Sequence, residues 1–162
     1  MAHIKGSLLE MRLLEMKLAA GAALVALLTG CAPTVSLLPA DLANDPNCAE
    51  VMVRLPDEVA EQSRRSTNAQ STAAWGEPTS VIFRCGLEPV FVSELTCVTA
   101  GEVDWLVDDS EAPNYRFITF ARTPATEIVV DSEAVAGVTV LEDLAGAIRA
   151  VPETANCTEV SN

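Results

Sequence analysis

The chain has 162 residues, 10 of them Lys or Arg and 23 Asp or Glu, for a formal net charge of −13. That balance excludes non-specific nucleic-acid binding, which needs basic side chains against phosphates. The only histidine, His3, and the only lysines, Lys5 and Lys17, all precede residue 18, so the rest of the chain holds no Ser-His-Asp triad, Cys-His pair, histidine metal ligand or Schiff-base lysine.

The first predicted element is an export signal over residues 1–30. Arg12 and Lys17 precede an apolar run from Leu18 to Leu28, and small residues follow. The run is far shorter than the ~20 apolar residues of a membrane-spanning helix. Met16-Lys17 offers a second start for the same signal besides Met1. The sequence Leu28-Thr29-Gly30-Cys31 resembles the lipobox of bacterial lipoproteins. The resemblance implies that the Cys31 thiol receives a diacylglycerol and becomes the mature N-terminus, with acyl chains of the palmitate kind in the membrane. Each buried methylene contributes about 0.8 kcal/mol, so two chains hold stably where one is marginal.

Three of the ten basic residues (Lys5, Arg12, Lys17) and two of the 23 acidic ones (Glu10, Glu15) precede Cys31, leaving a formal charge of −14 beyond it. Such a domain gains no electrostatic attraction to anionic lipid. The expected partners are the membrane, through lipid on Cys31, and an envelope protein or wall component. The expected location is the extracytoplasmic face of the cell membrane.

Residues 31–47, with Pro33, Pro39 and Pro46, read as the lipidated cysteine and a flexible tether. A single domain of modest core is expected over 48–162. Cys48 to Leu55 reads as a short helix capped by Asp45 or Asn47 and stopped at Pro56. Residues 57–73 are polar and read as a surface loop or short helix. Strands are expected over 79–85, 95–99, 103–107, 115–121 and 126–130, where β-branched and aromatic residues gather between Gly and Pro breaks. Residues 108–113 form an acidic turn. Leu141, Leu144, Ala145 and Ile148 recur at helical spacing in 140–151, with Thr139 as the candidate cap. This order predicts an α+β fold: a small antiparallel sheet with a C-terminal helix packed on one face and two disulfides.

Four cysteines follow Cys31: Cys48, Cys85, Cys97 and Cys157. An even number in an exported chain implies two disulfides with three possible connectivities. The favoured pairing is Cys85–Cys97, between neighbouring strands, with Cys48–Cys157 joining the ends of the domain. No C-x-x-C is present, and no zinc site is expected.

Arg84, Arg122, Asp104 and Glu127 lie in or beside predicted strands. If they converge, they make an anion-binding or polar recognition pocket with Trp105 as an apolar wall. The alternative is a pair of structural salt bridges, Arg84–Asp104 or Arg122–Glu127. Trp75 and Trp105 are either core residues or sugar-stacking platforms. Asp108, Asp109 and Glu111 offer oxygens to Ca²⁺, but not at EF-hand spacing. No metal or cofactor is expected.

Trp75-Gly76-Glu77-Pro78, Arg84-Cys85-Gly86-Leu87, Cys97, Val103-Asp104-Trp105 and Ala121-Arg122-Thr123-Pro124 with Glu127 follow one another in an order that resembles an uncharacterised family. Its members are small exported lipoproteins of high-GC Gram-positive bacteria with a domain of unknown function. The likeness spans about residues 48–151, and Ala121 stands where glycine is expected. The resemblance supports location and a single domain, and it brings no activity with it. The functional expectation is a membrane-anchored, non-catalytic binding module of the cell envelope. The alternative is a carboxylate-dependent hydrolase acting on envelope glycan.

Overall fold

In the computed structural model, which describes residues 33–157, eight strands form one sheet. They are β1 (Glu58–Val59), β2 (Gln62–Arg65), β3 (Thr72–Trp75), β4 (Val81–Leu87), β5 (Thr96–Ala100), β6 (Val103–Asp108), β7 (Asn114–Thr119) and β8 (Ala125–Asp131). Their spatial order is β1-β2-β3-β4-β8-β7-β6-β5, antiparallel throughout. Among the described residues two helices complete it: α1 (Pro46–Met52) and α2 (Gly137–Ile148). The predicted architecture is thus the one adopted, a sheet with its C-terminal helix on one face and two disulfides.

Period-two alternation builds the sheet. In β4, Val81, Phe83 and Cys85 are buried while Ile82 and Arg84 are only half-buried on the opposite side. The inner face carries Trp75, Phe83, Trp105, Phe117, Ile128 and Val130, and α2 sets Leu141, Leu144 and Ile148 into the same core. Burying one such aliphatic side chain contributes roughly 1.5–3 kcal/mol. The β5–β6 turn has Gly101 at φ +59° and Glu102 at +62°, the two left-handed residues of a tight hairpin. A methyl on Gly101 would also lie 2.3 Å from Ala145 Cβ, so this glycine brings the hairpin close to α2.

Several boundaries differ from the sequence reading. Helix α1 is capped by Asp45, whose carboxylate accepts the Asn47 N–H at 2.8 Å, and it ends at Met52. Helix α2 starts before Thr139: the Val140 N–H bonds to the Ala136 carbonyl, and Ala136 is an N-cap without a side-chain hydrogen bond. The expected loop over 57–73 holds β1, β2 and the first residues of β3. Strands β1 and β2 lie at one margin of the sheet, where Gln62 and Arg65 are half-buried and Ser63 exposed, so their polar composition suits their position.

The segment expected to be a free tether lies on the domain from Pro33 onward. The Pro33 carbonyl accepts from Arg65 Nη2 at 2.8 Å, Val35 bridges to Thr67, and the Leu42 N–H donates to the Gly86 carbonyl at 2.8 Å. Gly86 makes this approach possible. It sits at φ +110° in a bulge of β4, and a methyl there would lie 2.5 Å from the backbone of Leu42 and Ala43.

The favoured disulfide pairing is corrected. Cys48 bonds to Cys85 and Cys97 bonds to Cys157. Strand β4 pairs with β3 and β8, whereas β5 is the opposite edge of the sheet, so Cys85 and Cys97 are not neighbours. The first bond ties α1 to β4 inside the core; the second ties the C-terminal segment to β5.

Candidate functional site

The face of the sheet away from α2 carries the candidate site. Across it, Leu106, Ile118, Glu127 and Arg84 lie in register on β6, β7, β8 and β4. Leu106, Ile118 and Ala125 form a small apolar cluster there with Leu87, Val90 and Phe120. The segment after β4 folds back over it, and the Ala121 N–H donates to the Val90 carbonyl.

Beside this cluster, two arginines hold one carboxylate. Arg84 Nε and Nη2 donate to Glu127 Oε1 at 3.1 and 2.7 Å, and Arg116 Nε donates to Oε2. The Glu127 side chain is only 6% exposed, whereas those of Arg84 and Arg116 are 33% and 37% exposed. The aliphatic stems cover the carboxylate while the heads keep contact with water. A buried carboxylate needs such partners, because leaving one charge unpaired costs several kcal/mol. The three groups leave one positive charge over, with unused N–H donors on both guanidiniums.

Both arginines line a concavity of about 430 Å³. Its other walls come from the segment that Gly86 admits, through Pro39 and Asp41, and from the loop after β4, through Glu88 and Val90. Neither Asp41 nor Glu88 is paired with either arginine. A larger groove of about 750 Å³ runs between residues 91–95 and β5, and no arginine lines it.

The four charged residues expected to converge separate into two groups, and Trp105 lies apart from both in the core. Arg84 and Glu127 belong to the site above, joined by Arg116, which the sequence reading had not singled out. Asp104 and Arg122 lie elsewhere on the domain. Asp104 accepts from the Thr99 hydroxyl at 2.6 Å and from the Cys157 N–H at 2.7 Å. Arg122 donates to the Val151 carbonyl and to Glu153 Oε2, and it is almost fully buried. Burial pulls its guanidinium below its ordinary value, and the Glu153 and Asp104 charges oppose that. These contacts fasten the C-terminal segment. Neither Arg84–Asp104 nor Arg122–Glu127 is a salt bridge: β4 and β6 are separated by β8 and β7, and Arg122 pairs with Glu153 while Glu127 is held by Arg84 and Arg116.

Trp105 is fully buried on the inner face, as is Trp75, so neither walls the concavity nor presents a ring to sugar. Asp108 is occupied locally: the Ser110 hydroxyl and N–H donate to its Oδ1 and, with help from Arg116, hold its carboxyl below the usual aspartate range. Among the described residues the one group with three close candidate metal ligands is Cys97, Asp104 and Cys157, and its two sulfurs are bonded to each other. Cys31 lies outside the described residues.

Residues 14–156 match a protein family described as "Protein of unknown function (DUF3515)". The chain belongs to the DUF3515 family. Its match covers the whole sheet, both helices and all four bonded cysteines except Cys157. No curated protein matches the chain, and no solved structure matches it. The arginine pair of this DUF3515 protein therefore stands on its own geometry.

Proposed function

We propose that this DUF3515 protein is a lipid-anchored envelope protein whose domain is a non-catalytic binding module. The observation that carries the binding half is the Arg84–Arg116 pair, which meets one buried carboxylate and keeps donors facing a concavity. Guanidinium forks in that setting suit a carboxylate ligand.

The anchoring half rests on the lipobox-like Leu28-Thr29-Gly30-Cys31 and the apolar run before it. Among the described residues no helix is long and apolar enough to cross a membrane. In this reading the anchor is lipid on Cys31. Two disulfides accord with an oxidising compartment. The buried carboxylates favour binding over glycan hydrolysis: Glu127 and Asp104 each have both oxygens engaged by donors and hold no position for proton transfer to a substrate.

Two measurements test this reading. Metabolic labelling with a palmitate analogue should mark the wild type and not Cys31→Ala, and the variant should leave the membrane fraction; a labelled or membrane-bound variant refutes the anchor. N-acetyl-Ala-Ala, a carboxylate without an ammonium, should shift the Arg84 and Arg116 Nε–H resonances of the mature protein. Resonances unmoved by N-acetyl-Ala-Ala and by free Ala-Ala alike refute the binding site.

A further inference from the structure

The charges around the concavity do not suit a simple anion. Asp41 and Glu88 are both exposed and line the same space as Arg84 and Arg116. Asp108 lies 4.0 Å from Arg116. A phosphate or a bare carboxylate entering there would meet two rim carboxylates and the field of a strongly acidic domain, which lowers its affinity and its rate of approach.

The same arrangement suits a molecule that carries both signs. The two rim acids have no basic partner among the described residues, although two arginines line the same space. Opposite charges that share a concavity without pairing leave room for a ligand that bridges them. From the arrangement we infer that the site takes a small zwitterion of the amino-acid or short-peptide type. Its carboxylate lies on the Arg84 and Arg116 forks, and its ammonium lies toward Asp41 and Glu88. Ile118 and Val90 give the apolar surface for a small side chain. The inference rests on the binding site proposed above and adds the class of ligand.

Three probes separate the two ideas. Ala-Ala carries both charges, N-acetyl-Ala-Ala only the carboxylate, and Ala-Ala amide only the ammonium. Each is titrated into the mature protein, with the Arg84 and Arg116 Nε–H resonances and the backbone amides of residues 39–41 and 87–90 as readout. Ala-Ala should bind about two- to fivefold more tightly than N-acetyl-Ala-Ala, within the range that exposed ion pairs supply. The amide should bind most weakly. Asp41→Asn with Glu88→Gln should erase the advantage of Ala-Ala while leaving N-acetyl-Ala-Ala unweakened; these exposed positions make no contact on which the fold depends.

Equal binding of Ala-Ala and its N-acetyl form overturns the zwitterion inference and leaves the carboxylate site standing. An advantage that persists in the double variant also overturns it. No binding of any probe overturns both.

Discussion

Arg84 and Glu127 face each other directly across β4 and β8, and the nearer guanidinium nitrogen is 2.7 Å from the carboxylate. Arg116 reaches the other oxygen from β7, on the far side of β8. One glutamate thus links three strands in the middle of the sheet.

Removing these partners should give non-additive losses. Arg84→Ala or Arg116→Ala alone leaves Glu127 with one guanidinium and should cost about 1–2 kcal/mol. The double variant leaves a buried carboxylate alone and should cost about 3–5 kcal/mol. Denaturant unfolding of the double-mutant cycle checks this. Additive losses would mean that the two arginines act independently.

Peptide mapping without reduction should recover Cys48–Cys85 and Cys97–Cys157 as linked fragments. The bonds close sequence separations of 37 and 60 residues, worth roughly 4 kcal/mol each in the chain-entropy model. Replacing Cys97 and Cys157 together by Ser should lower stability by about 2–4 kcal/mol and expose the 152–157 segment to protease. The same change at Cys48 and Cys85 should be worse, because both are fully buried in the core. A Cys85–Cys97 fragment would refute the topology.

Ala121 lies at φ +50° in a fully buried turn. Its carbonyl accepts from the Thr154 N–H and hydroxyl. A left-handed non-glycine residue costs roughly 1–2 kcal/mol, and glycine gives part of that back to the unfolded chain. Ala121→Gly should therefore raise stability by about 0.5–1 kcal/mol. A loss of stability would show that the methyl packs better than the turn strains.

Asp108 has a depressed folded-state carboxyl, from the Ser110 hydroxyl first, then the Ser110 N–H, with Arg116 adding. Its contribution is therefore fully present above the unfolded aspartate value of about 3.9 and fades as pH falls through the lowered folded value. Wild type and Asp108→Asn should differ in melting temperature at pH 6 and converge as pH drops below that range. A gap that persists undiminished at low pH would assign the effect to something other than ionisation.

Much of the fold was legible because the central strands carry their own signal. Val81 to Cys85, Val103 to Val107 and Thr126 to Val130 alternate or cluster β-branched and aromatic residues, as half-buried strands do. Composition says nothing about which strands are neighbours. The β5–β8 meander joins β4 through its last strand, β8, rather than its first, and that reversal puts Cys97 on the far edge from Cys85 and two strands between Asp104 and Arg84. Arg116 had a readable mark: it alternates with the inward Phe117, which places it on the open face. The 33–47 segment has neither alternation nor helical period, since its own backbone groups hold it, bonded to the Arg65 and Asn68 side chains and the Gly86 carbonyl, and such bonds leave no mark on the segment's side-chain types.

Pro33 and Val35 already bear on the domain beside Arg65 and Thr67. A lipid on Cys31 would then leave Ala32 as the only spacer, about 7 Å of chain at full extension. The domain would rest almost flush with the headgroups, with little leash to swing on. A compact body of this size has a radius of gyration of about 14 Å, so its reach would end a few tens of ångströms from the bilayer. Whatever it binds would have to come down to the membrane surface to be met.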